Sequence, residues 1–372
     1  MQIREKDIKQ RNKAENGQSP PRLDNIAQLP TDTLKTLSKR ARSKYYTQKI
    51  VAPLLYIESP LNKGYSRAFH CGGVLEQIGK KIVSRYCNSR ICHVCNRMRT
   101  AKMMFGYIEP LRNLGDLYFT TLTLPNVKAD LLEPTVSKML KDMTNIIRVL
   151  RERKKINISG IRKIEVTYNA KRDDYHPHFH LLHSQDVGDL IIDEWLKRNP
   201  TAKKKGWDRR KKEMVDIQVT KPVTKKNDDD KKFLNELFKY ASKFVVKDEK
   251  ESGVLNVYVP ALDIILRALH KKRSIQSFGE IKKIAIEENT ELIAQEIEDI
   301  EPTEYKRFVW KGIDGLYDWI DENSNRLTNY QPPDIEFKYF IGDTMPLTKK
   351  EKNRIYKEAK TNRLNTIRNE KL

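Results

Sequence analysis

Four of the seven histidines fall within Tyr175–His183, and His176, His178 and His180 occupy alternate positions there. Side chains on a β-strand repeat every two residues, so these three imidazoles share one face. Neutral imidazole is a common metal ligand, and two such rings on one strand can grip a single ion. Upstream lies Ile161–Tyr168, separated from the histidines by the turn-forming residues 169–174. A hairpin closed symmetrically on that loop sets Tyr168 against Tyr175 and Glu165 against His178, so Glu165 joins the histidine face. A one-residue slip in register would turn it away. Two imidazoles and a carboxylate, with coordination positions left open, suit Mn²⁺ or Mg²⁺ acting as a Lewis acid on a phosphoryl oxygen. In this reading His178 and His180 are the ligands, Glu165 is the third, His176 supports them and His183 faces the other way.

A nucleophile can be sought in Lys231–Lys247. Its apolar residues keep helical spacing, and Glu236, Tyr240, Lys243 and Lys247 fall in a stripe about 60° wide along the edge of the apolar face. Glu236 and Tyr240 are four apart and therefore neighbours. A tyrosine oxygen attacking phosphorus conserves the cleaved bond as a phosphotyrosine ester. Phenol ionises near pH 10, so the Lys243 ammonium would favour the reactive phenolate. Glu236 can act as general base for a water or a second strand. Taken alone, the pattern is also that of an ordinary amphipathic surface helix.

The four cysteines all lie between 71 and 95. Cys92 and Cys95 form a CxxC, with Cys87 and Cys71 upstream; four thiolates would close a structural Zn²⁺ site. The other reading is four reduced, partly buried thiols. Arg85, Arg90, Arg97, Arg99 and Lys102 surround the cluster and suggest a held loop that reads duplex DNA. A second basic run carries Lys204, Arg209 and Arg210 around Trp207. It could track a phosphate backbone while the indole stacks a base, or be a solvated loop.

The elements that would position these groups follow in order. Leu117–Leu124 reads as a central strand with apolar residues on both faces. Pro134 opens a helix carrying Val136, Met139, Leu140, Met143, Ile146, Ile147 and Leu150. The hairpin strands, a helix over Val187–Arg198 and a strand over Val215–Val219 complete a β-α-β-β-α-β order, the ferredoxin-like split motif. The histidine strand is then central in the sheet. The predicted class is α+β with a central antiparallel sheet, a small cysteine-rich module and a mainly helical C-terminal region. The predicted ranges are a basic flexible arm over 1–45, a cysteine module over 46–110, a domain over 111–285 that carries the histidine hairpin and the Tyr240 helix, and an acidic-then-basic region of open role over 286–372. Within the arm, a short helix near Thr33–Tyr46 is expected, free or packed on the body.

Lysine and arginine outnumber aspartate and glutamate by 72 to 50, a net charge of +22 over 372 residues. Such an excess points to a polyanion, with nucleic acid ahead of an anionic membrane surface. No run approaches the roughly 20 apolar residues of a spanning helix, and a cytoplasmic location is expected. There is no phosphate-loop motif, so strand unwinding would fall to a partner.

The ordered strings Phe119–Leu124, His178-Phe179-His180 and Tyr240-Ala241-Ser242-Lys243 resemble the three motifs of HUH endonucleases. Glu165-Val166-Thr167-Tyr168 ahead of His176–His180 is similar to one-tyrosine rolling-circle plasmid replication initiators. Glu236, four before Tyr240, matches the subgroup that ends replication by hydrolysis. Cys87–Cys95 and Arg273–Gly279 also resemble that family, although His93 stands where relatives commonly carry proline and is a possible rival ligand. The resemblance covers about residues 70–285. It implies strand-specific nicking at a plasmid double-strand origin, a 5′-phosphotyrosine link through Tyr240, and a host helicase and DNA polymerase as partners. An HUH transposase and a non-catalytic DNA-binding regulator are the alternatives; the oligomeric state is left open.

Overall fold

A computed structural model describes residues 31–78, 81–208, 211–223, 237–238, 246–247, 253–282, 305–313 and 315–342. In chain order the elements are α1 (Thr31–Val51), α2 (Asn62–His70), β1 (Val74–Ile78), β2 (Lys81–Ser84), α3 (His93–Arg112), β3 (Leu117–Thr123), α4 (Ala129–Glu152), β4 (Gly160–Asn169) and β5 (Asp174–Ser184). They continue with α5 (Gly188–Arg198), β6 (Lys205–Asp208), β7 (Glu213–Asp216), β8 (Val219–Val223), β9 (Val246–Lys247), β10 (Val254–Tyr258), α6 (Val259–Ala268), β11 (Ile275–Phe278), β12 (Tyr305–Ile313), β13 (Leu316–Ile320) and β14 (Glu336–Phe340). The chain is mixed α and β with mostly antiparallel pairing, as an α+β reading requires.

Two compact units divide the described residues: those within 31–42, 73–84 and 305–331, and those within 43–72, 85–282 and 332–342. The first contains an antiparallel sheet in the order β13-β12-β1-β2. Its core includes Leu75, Phe308, Trp310 and Trp319, with the two indoles edge-on at 4.8 Å.

The second unit is built on a five-stranded sheet, β11-β4-β5-β3-β8. Strand β5 lies in the middle, antiparallel to both β4 and β3. Alternation gives the sheet two different faces. One carries Leu122, Ile164, Val166, Tyr175, Phe179 and Leu181 into the main core, where the apolar stripe of α4 meets Trp195 of α5 and Ile265 of α6. The other carries Leu117, Ile161, Leu182 and Val223 beneath α3 and the helical residues Leu237 and Phe238. A second, three-stranded sheet, β14-β10-β9, belongs to the same unit.

Several expectations are corrected. The fourth strand beside β3 is Val219–Val223, not Val215–Val219: Val215 belongs to β7, which pairs with β6 in a separate hairpin. Lys205–Asp208 of the basic run therefore enters a hairpin, with Trp207 opposite Met214. Pro134 lies inside α4, which starts at Ala129, so the ring removes one main-chain bond from the second turn rather than opening the helix. The C-terminal region, expected to be mainly helical, contributes three strands and no helix among its described residues, because Phe308 and Trp310 alternate inward as strand residues do. A helix over Thr31–Val51 stands where a shorter one was expected; residues 1–30 lie outside the described part.

Candidate metal centre

The β4–β5 hairpin closes with Tyr168 opposite Tyr175 and Glu165 opposite His178, the register expected from the loop. On the other side of β5, Thr121 stands opposite His180 and Thr123 opposite His178. Glu165, His178 and His180 thus share one sheet face, with one donor atom from each lying within 4.8 Å of the others. The Glu165 carboxylate is 3.9 Å from His178 Nε2 and 3.7 Å from His180 Nε2.

The rings are held from behind. His178 Nδ1 donates to the His176 carbonyl at 3.2 Å, which leaves the Nε2 lone pair facing Glu165. His180 Nδ1 meets the Thr121 hydroxyl at 3.3 Å, and its ring stacks on Phe119 with centroids 5.4 Å apart. Partners at the far nitrogen fix tautomer and orientation in metal sites. A group so arranged could hold one cation.

Lys163 is the residue that the pattern reading missed. Two positions before Glu165 on β4, it shares the same face, and its ammonium lies 3.1 Å from the Glu165 carboxylate, with both side chains 3% exposed. The signal was available in the period of two, but a strand lysine reads as solvent-facing until strands are seen on both sides of it.

His176 falls outside the three-residue group. It stacks on His178 with centroids 5.1 Å apart, and burial pushes its imidazole down to about 4. His183 points into the opposite face, where Nε2 meets the Thr120 hydroxyl at 2.8 Å in a fully buried position. Burial lowers its pKa as well, and its role is packing.

All four cysteines converge. Cys71 and Cys87 lie 3.5 and 3.6 Å from Cys95, sulfur to sulfur, and all four sulfurs are mutually within 4.8 Å. Hydrogen bonds from Cys71, Cys87 and Cys95 hold the Cys92 thiol well below its ordinary range. Cys92 also caps α3, its sulfur accepting from the Cys95 amide. His93 is not part of this group; its ring packs toward Tyr46 at 6.3 Å, and burial lowers its pKa. The buried Lys44 donates to the Cys71 carbonyl at 2.8 Å, anchoring the first cysteine from α1.

Glu236, Tyr240 and Lys243 lie outside the described residues, as do Arg209 and Arg210. Their neighbours Leu237 and Phe238 are fully buried on the sheet face that bears Glu165, His178 and His180; Phe238 stacks on Tyr107 of α3 at 5.8 Å, and its carbonyl accepts from Thr100. The remaining predicted basic residues are tied to other groups or partly buried. Arg99 donates to the Asn88 carbonyl, Arg90 to two carbonyls of the turn after α6, Arg97 is half-buried on α3, and Lys204 sits 3.8 Å from Asp189. Trp207 stands 62% exposed on its hairpin.

A family model described as replication protein matches residues 79–326. Among curated relatives, a protein named "Protein rep" from Staphylococcus aureus is 42% identical over 105 residues, covering 26% of this chain and 44% of that protein. Another of that name from Bacillus amyloliquefaciens is 29% identical over 164 residues, covering 42% and 45%. A third, from Streptococcus pneumoniae, is 25% identical over 217 residues, covering 54% and 62%. The chain thus spans about half the length of the curated relatives it matches. No solved structure matches it.

Proposed function

The chain belongs to the replication protein family, and from that premise we propose that it initiates rolling-circle replication of a plasmid by nicking one DNA strand. The observation that carries this reading is the convergence of Glu165, His178 and His180 on the sheet face where Leu237 and Phe238, three and two residues before Tyr240, are buried. The strand order β4-β5-β3-β8, all antiparallel, supports a ferredoxin-like HUH core. Residues 111–285 would then form the endonuclease and 46–110 the cysteine module that contacts duplex DNA.

Glu165, His178 and His180 would hold Mn²⁺ or Mg²⁺, which supplies Lewis-acid polarisation of a phosphoryl oxygen. The Tyr240 oxygen bonds to phosphorus as the P–O3′ bond breaks; the phenolic proton leaves to solvent and the departing oxygen takes one up. The product is a 5′-phosphotyrosine and a 3′ hydroxyl that primes synthesis. Lys243, one helical turn from Tyr240 in the sequence pattern, favours the phenolate. In the terminating cleavage, Glu236 takes a proton from water, whose oxygen attacks phosphorus and releases a new 3′ hydroxyl. That hydroxyl attacks the phosphotyrosine, freeing Tyr240 and closing the circle. A host helicase and polymerase supply unwinding and synthesis.

The cysteine spacing supports zinc, since four sulfurs about 2.3 Å from one tetrahedral ion sit about 3.8 Å apart. Such a site would fix the first turn of α3 and the loop before it. The reading is tested with supercoiled plasmid carrying the origin. Wild type and Glu236→Ala should both convert it to open circles, and only wild type should release closed single-stranded circles. No open circles with wild type would refute nicking; equal release by both would remove Glu236 from termination.

A further inference from the structure

A cleft of about 440 Å³ lies where the cysteine loop, α2 and the turn between α6 and β11 meet. Its lining contains Arg67, Arg90, Arg99, Lys271, Lys272 and Arg273, and no aspartate or glutamate. That composition is unusual in a chain with 50 acidic residues, and it gives the cleft a single sign of field.

The six cations divide by what they touch. Arg90 donates to the Leu269 and Lys272 carbonyls at 2.7 Å each, clamping the cysteine loop to the turn. Arg99 donates to the Asn88 carbonyl at 2.6 Å and to Asn96 at 2.9 Å, fastening the same loop to α3. Lys272 is 3.0 Å from Glu133. These three build the walls. Arg67, Lys271 and Arg273 are exposed at the cleft.

The cleft also adjoins the metal face. Its Ser274 carbonyl accepts from the Ile164 amide at 2.8 Å, and Ile275 stands opposite Lys163. Glu165 is two residues farther along β4. With strands about 4.8 Å apart and about 3.4 Å per residue, the end of the cleft lies about 8 Å from the backbone of the metal ligand. That is the scale of one or two nucleotide steps along a strand.

We propose that this cleft seats the phosphodiester backbone of DNA beside the cleaved position, with Arg67, Lys271 and Arg273 as its phosphate contacts and Arg90 and Arg99 as the residues that hold it open. The inference rests on the nicking reading and adds a binding site to it. The cysteine cluster then acts through the cleft: Cys87 lines it, and the loop it starts forms one wall.

The test uses the full chain and fluorescence anisotropy with two labelled origin probes, a single strand spanning the nick and the flanking duplex, over a salt series. Each neutralised phosphate contributes about 0.7 to the log–log salt slope on a single strand and about 0.9 on duplex. Arg67→Ala/Lys271→Ala/Arg273→Ala should lower the slope by about 2 if the single strand occupies the cleft, or by about 3 if duplex does. The single variants should each lower it by about one third of that, with Mn²⁺ binding by titration calorimetry unchanged. A loss confined to the single strand places the strand leading to the nick in the cleft, and a loss confined to duplex places the origin flank there. Unchanged slopes on both probes, with wild-type binding and nicking intact, would overturn the cleft and leave the nicking reading standing. Wild type that binds neither probe would overturn both.

Discussion

The buried pair Lys163–Glu165 sets the charge balance of the candidate metal face. A carboxylate with a side chain 3% exposed needs a cation nearby, and the ammonium at 3.1 Å is one. A bound divalent ion would compete for the same oxygen. Lys163→Met should therefore do two things. Without metal it should lower unfolding free energy by about 3 kcal/mol, since breaking a buried pair leaves one charge uncompensated. With saturating Mn²⁺ the loss should shrink, because metal that binds only the folded state stabilises it and the competitor is gone. Glu165→Gln should instead abolish the Mn²⁺-dependent gain. Denaturant unfolding with and without Mn²⁺ measures both; identical Mn²⁺ gains in wild type and Glu165→Gln would remove Glu165 from the ligand set.

At the scale of elements, α3 ties the two clusters together. Its first turn is capped by Cys92, and farther along Tyr107 stacks on Phe238 over the metal face. Cys92→Ser should abolish zinc content by elemental analysis and origin-duplex binding, while single-strand cleavage survives. A wild-type protein that carries no zinc as purified would contradict this account of the cluster. The hairpin that carries the candidate ligands was legible in the sequence because its short loop 169–174 sets Tyr168 against Tyr175, and that fixes every pair along it. Other elements were not legible. Strands β6 and β7 carry no buried residue along their length, and Trp207 and Met214 pair in solvent, so no apolar alternation marks them. Strand β12 follows a long acidic stretch that suggests helix, and its inward Phe308 and Trp310 make sense only against β1 and β13. Of the basic turn His270–Arg273, only Arg273 fell in a string that resembled the family; only folding brings the turn beside the cysteine loop.

Across the whole molecule, the excess positive charge, the two metal-competent groups and the membership of the replication protein family point the same way. Among the described helices none is long and apolar enough to cross a membrane, and the excess positive charge is what the proposed DNA substrate would require. The sheet sets its two faces to different tasks: one is filled by the helices α4, α5 and α6, and the other carries Glu165, His178 and His180 beside the apolar patch that covers Leu237 and Phe238. The central claim is that this second face cleaves DNA through Tyr240. It is tested by incubating the protein with Mn²⁺ and a labelled single-stranded origin oligonucleotide, then resolving the products on a denaturing gel. A covalent protein–DNA adduct should form with wild type and be absent with Tyr240→Phe or with chelator present; an adduct that persists in Tyr240→Phe would contradict the account.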